Sequence, residues 1–514
     1  MTPEAFLNGS FHERLAAFLL IGAEFLPIQA FAPEALAEGI SALLIDPEFE
    51  TVPSAEQGAV FFRIHIIYAT SWDSAGQRVI PAAEVAFGRL AVRADAPLTA
   101  LCLGYDALFF LHWCWETRLE RQVSFASRVV SPFAAAIRAR AVRGAPEQAI
   151  PGRIGYLAQF ISSGPGNAIA PANAVILRAL RRRPGQPAPI LYAWMFHDQA
   201  TLDALRQSGV DARAINGNSP AERFEALDAM IRADRPEILI SDMNGAIPGA
   251  LFEQRLAPLQ ILYQFGMPFW PLQELDWVFH CWDFDPKLVG FDARRMTRLT
   301  IPYDLTPFGQ PADAQVLATE VALLPKGRLI GTYGRLSKIS PAFLEAVAAA
   351  IREIPDVTVV LGGSGDAGPL RAAITALPEP ERFDVHERFI NGHVWGNLLD
   401  VFLDTFEVPG GASCLEVIAK GKPVVSLRTL AAPNLARYER ASMLTSTDAA
   451  GYSAVLRRLL TDPRFMAKAQ AATRSLAARY PKPESYPALL AVALDEARRG
   501  PQPRLLRLLW KLFR

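Results

Sequence analysis

Two short stretches carry the residue types best suited to chemistry. The first is Gly410-Gly411-Ala412-Ser413, which follows the apolar run Val401-Phe402-Leu403 and precedes an apolar segment that ends at Gly421. Ser413 is a good helix N-cap, and Gly421 stands where a helix C-terminus favours left-handed backbone. A turn of small residues at a helix N-terminus exposes unpaired N–H groups, and phosphate is their usual partner. Glu416 comes three residues later and reads in two ways. It is either the return half of a capping box or a carboxylate that accepts hydrogen bonds from ribose hydroxyls. The second stretch, Tyr333-Gly334-Arg335-Leu336-Ser337-Lys338, closes a strand, and Ser340-Pro341 then opens a helix. An ammonium on that loop can neutralise a diphosphate leaving group, with Arg335 in reach of a base or phosphate. The plain alternative for Lys338 is a solvated loop cation.

Other candidates are less specific. His197 and Asp198 follow the strand 189–195 and are expected to open into a cleft, whereas Gly362 to Asp366 either faces a phosphate or turns the chain. His386 and His393 flank the loop before the 403–427 unit. None of the seven histidines forms a metal pair at helical spacing, so no metal is expected. Neither G-x-S-x-G nor H-E-x-x-H occurs, which argues against a hydrolase triad or a zinc protease.

The elements that must position these residues follow from composition and pattern. At 514 residues the chain is too long for one core, and about three domains are expected. Lys plus Arg balances Asp plus Glu at 52 each, so no global field draws in nucleic acid. Cys102, Cys114, Cys281 and Cys414 lack disulfide or metal spacing, which suits a reducing compartment. The apolar run Ala16 to Ala23 is too short to span a bilayer and makes a poor signal peptide, so a cytoplasmic location is expected.

Residues 1–150 read as helical, with examples at Ala82 to Leu90 and Ala107 to Leu119. The aromatic run 109–115 is either a buried helix or a docking face. From Arg153 strands and helices alternate, with strands at 153–157, 189–195, 210–215 and 238–241. The pattern restarts at 328–333 and 357–361, then 401–403 and 423–427. Such alternation implies two doubly wound parallel sheets, an α/β architecture with a ligand cleft between the lobes.

At several separated positions the chain resembles a known family. Arg235-Pro236-Glu237-Ile238-Leu239-Ile240-Ser241-Asp242-Met243-Asn244-Gly245 and Arg255-Leu256-Ala257-Pro258-Leu259-Gln260 are similar to the catalytic region of O-linked N-acetylglucosamine transferases. They are also similar to bacterial cytoplasmic protein N-glucosyltransferases of the adhesin-modifying type. Gly266, Pro268 and Asp276 follow in that order, as do Leu403-Asp404-Thr405, Gly410, Glu416-Val417 and Gly421-x-Pro423-x-Val425. The likeness covers roughly residues 151–480.

The resemblance implies a GT-B fold of two Rossmann-like domains, a UDP-sugar donor, inversion at the anomeric carbon and no required metal or other cofactor. By position Lys338 matches the diphosphate-binding lysine, and Arg335 falls where a glutamine often meets the nucleotide. Ser413 matches a hydroxyl residue near the phosphates, Glu416 replaces an aspartate that holds the ribose, and His393 lies within a residue of a histidine near the uracil. Gly411 and Ala412 stand where the family usually has His or Asn and then Thr. The histidine expected in the loop after Tyr156 is replaced by Ser162, Ser163 and Asn167. Helical repeats are absent, so the all-α N-terminal domain is closer to the N-glucosyltransferase arrangement.

The expected division is 1–150 all-α, 151–315 acceptor-side lobe, 316–485 nucleotide-sugar lobe and 486–514 helical tail. The expected activity moves a hexose or N-acetylhexosamine to an Asn or Ser/Thr side chain of a protein such as an adhesin, with Asp242 or His197 assisting the acceptor. Arg504, Arg507, Lys511 and Arg514 form a basic stripe on a terminal helix, which either packs back on the body or touches a membrane surface. Two alternatives stand beside this reading: a glycan or lipid acceptor at the membrane, and a non-catalytic nucleotide-sugar-binding scaffold.

Overall fold

Apolar runs and amphipathic helices alternate to build two parallel sheets in this computed structural model. It describes residues 3–21, 28–71, 75–115, 123–140, 148–162, 169–181, 185–242, 245–265, 272–280, 290–299, 302–406, 410–427 and 444–501. The first sheet contains β1 (Ile150–Phe160), β2 (Ile190–Phe196), β3 (Asp211–Ala214), β4 (Pro236–Ser241), β5 (Leu259–Gln264), β6 (Trp277–His280) and β7 (Met296–Arg298). Their order is β3-β2-β1-β4-β5-β6-β7, and every neighbouring pair is parallel. The second sheet contains β8 (Arg328–Arg335), β9 (Val357–Ser364), β10 (Phe383–Glu387), β11 (Val401–Leu403), β12 (Val424–Leu427) and β13 (Thr445–Ser446). It runs β10-β9-β8-β11-β12-β13, again all parallel. Both orders reverse direction beside the first strand, between β1 and β4 and between β8 and β11. At such switch points consecutive connections leave on opposite sides of the sheet and open a crevice at the strand C-termini.

Alternate residues of each strand serve opposite faces. In the first sheet Leu157, Tyr192 and Leu239 face a core shared with the helical region, while Tyr156, Leu191 and Ile240 face the other side. The described residues up to Arg140 are mainly helical, with Gly76–Val92 covering the first example read from sequence and Leu98–Trp115 the second as far as Trp115; residues 116–119 lie outside the described residues. These helices are not a separate core, however: Phe61, Phe87, Tyr105 and Leu108 belong to the same apolar cluster as the first sheet.

The join centres on the helix Ala246–Glu253, which the helical region holds at both ends. Asp106 accepts the Ala246 N–H at 3.0 Å, supplying a cap that Gly245 cannot. At the other end Arg138 pairs with the buried Glu253. Within Leu98–Trp115, Leu111 and His112 are buried, and His112 bonds the buried Glu84 at 3.1 Å. The buried-helix reading of the 109–115 run therefore holds at these positions. The side chains of 113–115 lie outside the described residues.

Two helices lie across or beside the expected divisions at 315/316 and 485/486. The helix Ala314–Ala322 spans the 315/316 division, and Glu320 binds Arg388 at 2.6 Å and the Trp395 indole at 2.9 Å, so it belongs wholly to the second lobe. At the far end, Tyr486–Arg499 leaves the second lobe and returns to the first. There Tyr486, Leu490 and Leu494 enter the sheet core, and Glu496 accepts a 2.8 Å bond from Thr297. The basic stripe 504–514 lies outside the described residues. No described helix is long and apolar enough to cross a membrane.

Removing Arg138 strands the Glu253 carboxylate in the seam between the helical region and the first lobe. Arg138→Ala is expected to destabilise the protein by about 3 kcal/mol or more, read from urea unfolding. Glu253→Gln with Arg138 intact should cost less, because the partner left behind is partly solvated.

Candidate functional site

A cavity of about 720 Å³ opens at the β8/β11 switch point, a size typical of small-molecule sites. The second lobe supplies most of its wall, Pro171 comes from the first lobe, and Tyr303 and Phe308 come from the connection between lobes. All eight residues expected to bind the donor line it: Arg335, Lys338, His393, Gly410, Gly411, Ala412, Ser413 and Glu416.

The small-residue turn is built differently from the sequence expectation. The helix begins at Ala412 with Gly411 in the cap position, so Ser413 lies inside the first turn and is not the N-cap. Gly410 sets this start point. Its N–H is donated to Asp404 Oδ1 at 2.5 Å, and a Cβ there would lie 2.8 Å from both Cys414 Sγ and Ser413 Oγ. Among the described residues, none beyond its chain neighbours lies within 4 Å of a notional Cβ on Gly411, which leaves space over the helix N-terminus. Gly421 has φ of +72°, the left-handed end that was expected.

Without Ser413 at the cap, the capping box does not form. Glu416 instead accepts a 3.1 Å hydrogen bond from Tyr333 Oη, and burial raises its carboxyl above the usual range. Gly392 makes room for this contact, since a Cβ there would lie 2.1 Å from Glu416 Oε2 and 2.6 Å from the Tyr333 ring.

Lys338 ends a short 3₁₀ turn, Leu336–Lys338, that carries the chain off β8. Burial at the cleft wall, followed by the charge of Arg335, lowers its ammonium to about 8, while Asp404 acts in the opposite sense. Ser340 caps the next helix by accepting the Phe343 N–H at 3.3 Å. The proposed phosphate loop at 362–366 resolves toward packing. Gly362 and Gly363 lie within β9, where a Cβ on Gly363 would meet the Gly334 carbonyl, and only Ser364 reaches the cavity.

His393 and Lys420 fasten the inter-lobe connection. Lys420 donates to the Phe308 carbonyl at 2.5 Å and lies 3.0 Å from His393 Nδ1. An ammonium only donates, so Nδ1 accepts and the ring is neutral. Burial and then the Lys420 charge lower His393 further, while a bond to the backbone of Pro311, which has no N–H, uses a ring donor. The imidazole thus ties the segment carrying Phe308 to the cavity edge, with ring centroids 6.2 Å apart.

His197 and Asp242 do not join this cavity. His197 is half-buried just beyond β2, and Asp198 caps the helix Gln199–Gln207 by accepting the Thr201 N–H at 2.8 Å. Asp242 is fully buried at the end of β4. Asn173 Nδ2 donates to its Oδ2 at 2.6 Å and the Gln159 N–H to its Oδ1 at 3.3 Å, and burial raises it to about 7. Ser163, Asn167, Met243, Asn244, Gly266 and Pro268 lie outside the described residues. The Arg255 to Gln260 run is a structural knot: Gln260 Nε2 donates to the Phe252 and Glu274 carbonyls at 2.8 and 2.7 Å, and Arg255 pairs with Asp276 at 2.8 Å. Among the described residues no group of three or more His, Cys, Asp or Glu stands at metal-binding separation.

Comparison with known proteins places the fold. A scan against protein-family models finds no match, nor does a search of curated proteins. Among solved structures, a mutant of the Thermobaculum terrenum O-GlcNAc transferase matches over 95% of this chain and 99% of its own, with TM-score 0.55 and 17% identity. A glycosyltransferase from Rickettsia africae matches over 67% of this chain and 98% of its own, at TM-score 0.51 and 12% identity. Anabaena HepE in complex with UDP covers 67% and 99%, at TM-score 0.50 and 15% identity. The architecture is GT-B, preceded by a helical region.

Gly392 tests how tightly the Glu416–Tyr333 contact is built. Gly392→Ala should displace one of the two side chains and destabilise the protein by about 1–3 kcal/mol in thermal or urea unfolding. Gly411→Ala meets no such steric conflict and should cost less in the same assay, about 1 kcal/mol from the poorer N-cap preference of Ala.

Proposed function

We propose that this protein is an inverting, metal-independent glycosyltransferase that moves a hexose or N-acetylhexosamine from a UDP-sugar to an Asn or Ser/Thr side chain of a protein. One observation carries the reading. An ammonium and an open helix N-terminus meet in one cavity at a parallel-sheet switch point, the arrangement that holds a diphosphate. Sequence likeness to protein glycosyltransferases and the GT-B fold support it.

The chemistry follows from charge. As the acceptor's lone pair attacks the anomeric carbon and its proton passes to a base, the bond from that carbon to the diphosphate oxygen breaks on the opposite face. Negative charge then grows on the departing UDP. Lys338 and the N–H groups of Ala412 and Ser413 oppose that charge in a partly desolvated site, where each such donor is worth about 10²–10³ in rate. Glu416, one oxygen held by Tyr333, offers the other to ribose hydroxyls. Of the two groups proposed to assist the acceptor, His197 is within reach of solvent and Asp242 is sealed by Asn173 and Gln159.

Gly411 and Ala412 present no side-chain donors to the phosphates, which favours one second reading, a nucleotide-sugar-binding scaffold. Release of UDP from a panel of UDP-sugars, with intact-mass analysis of co-expressed acceptor proteins, separates the two. The enzyme adds a hexose or N-acetylhexosamine mass to an acceptor, and the scaffold binds without turnover. Lys338→Met should lower turnover at least about 100-fold with an unchanged unfolding midpoint, and full activity in that variant would defeat the assignment.

The pH dependence has a defined sign. A bound diphosphate favours the Lys338 ammonium and raises its pKa from about 8. The Lys338 contribution to UDP-sugar affinity should therefore be full below about pH 8 and decline as pH rises through that value towards the bound-state pKa. The Lys338→Met variant should lose this decline in calorimetric titration.

A further inference from the structure

Directly beneath the turn that would hold an anion, the protein buries an acid. Asp404 is the first residue past β11 and is only 1% exposed. Each carboxylate oxygen has a partner: Oδ1 accepts the Gly410 N–H at 2.5 Å, and Oδ2 accepts the Ser426 hydroxyl of β12 at 3.1 Å. The Cys414 thiol, in the first turn of the following helix, bonds it as well, and its main-chain oxygen accepts from Tyr452 Oη at 3.4 Å. Of the titratable groups around it, Lys338 is cationic, whereas Tyr452 is neutral and driven further that way by burial. Arg335 stands beyond Lys338.

This placement does two opposed things. The carboxylate fixes the residue from which the small-residue turn springs, and so aims the free N–H groups of the helix. It also sets a negative charge close to where the ligand's charge must sit, shared with the ammonium that would bind that ligand. A second anion entering such a site is opposed unless a proton accompanies it.

We propose that Asp404 is a positioning residue of the nucleotide site, one that anchors the 410–413 turn and shares the Lys338 charge, so that a nucleoside diphosphate enters with a proton. The inference rests on the reading of this cavity as a UDP-sugar site. In the empty protein, burial raises Asp404 to about 6 against the opposing Gly410, Ser426 and Lys338 contacts. A bound diphosphate raises it further, so proton uptake through Asp404 falls between about pH 6 and the higher bound-state value. Uptake through Lys338 falls above about pH 8. The two windows are separable.

The test is calorimetric titration of the full chain with UDP-glucose and with UDP-N-acetylglucosamine, whose diphosphates carry no titrating oxygen near pH 6. Each is run at pH 6.5 and 8.5 in buffers of different ionisation heat. Wild type should take up protons at both pH values. Asp404→Asn keeps an oxygen for the Gly410 N–H and should lose uptake at pH 6.5 alone. Asp404→Ala also frees the turn and should bind at least about tenfold more weakly than Asp404→Asn, which shares its loss of charge, as expected when a buried donor loses its partner. Uptake at pH 6.5 in Asp404→Asn equal to wild type, or equal affinity of Asp404→Ala and Asp404→Asn, overturns the proposal while the nucleotide reading stands. No binding of either UDP-sugar by wild type overturns both.

Discussion

The pairing of β8 with β11 is the constraint from which the site follows. β8 is central, with β9 on one side and β11 on the other, and the register of Val401 with Ile330 and Phe402 with Gly331 brings the ends of β8 and β11 side by side. One end delivers Arg335 and Lys338, the other Asp404 and the 410–413 turn. Their connections leave on opposite faces, and the cavity opens between them. Close backbone approach holds the central strands in place. A Cβ on Gly331 would lie 1.9 Å from the Val360 carbonyl, so β8 and β9 approach more tightly there than a side chain permits.

Around that crevice, polar groups are buried in partnered sets. Asp404 is met by an amide, a hydroxyl and a thiol; Glu416 by a phenol; His393 by an ammonium and a carbonyl. The first lobe repeats the arrangement, where Tyr156 bonds Asn173 at 2.9 Å and Asn173 bonds Asp242. A buried acid thus stands at the switch-point strand of each sheet, just past β4 in one and β11 in the other. Each is held by the main-chain N–H of a neighbouring segment, and each ties strand end to loop through a group that is costly to leave unpaired.

Much of this was legible in the chain itself. Alternation of apolar runs with helical segments located β1 to β4, β8, β9, β11 and β12 but not β5, β6, β7, β10 or β13, and Ser340-Pro341 marked a helix start that placed Lys338 on the loop above the sheet. What escaped has physical reasons. Ser413 and Gly411 are both acceptable caps, and the choice between them is made by Asp404, a tertiary contact that no local rule contains. Asp404 reads as any acid after a strand, and Lys420 as an ordinary cation at a helix end. Gly392 stood beside a candidate histidine, but its role depends on Glu416, twenty-four residues away along the chain. Asp242 and His197 illustrate the converse: position at a strand end is readable from pattern, whereas the direction a side chain faces is not.

The path of the chain between lobes has a mechanical consequence. The polypeptide crosses once between β7 and Thr306 and again near 480–485, and the second crossing ends in a helix that is part of the first lobe's own interior. Two tethers at separate points resist twisting and sliding but permit rotation about the line that joins them. Any relative movement of the two halves is thereby restrained to rotation about that line. A proteolytic nick at the first crossing would leave the fragments interlocked, because the downstream piece still contributes Tyr486, Leu490 and Leu494 to the upstream one.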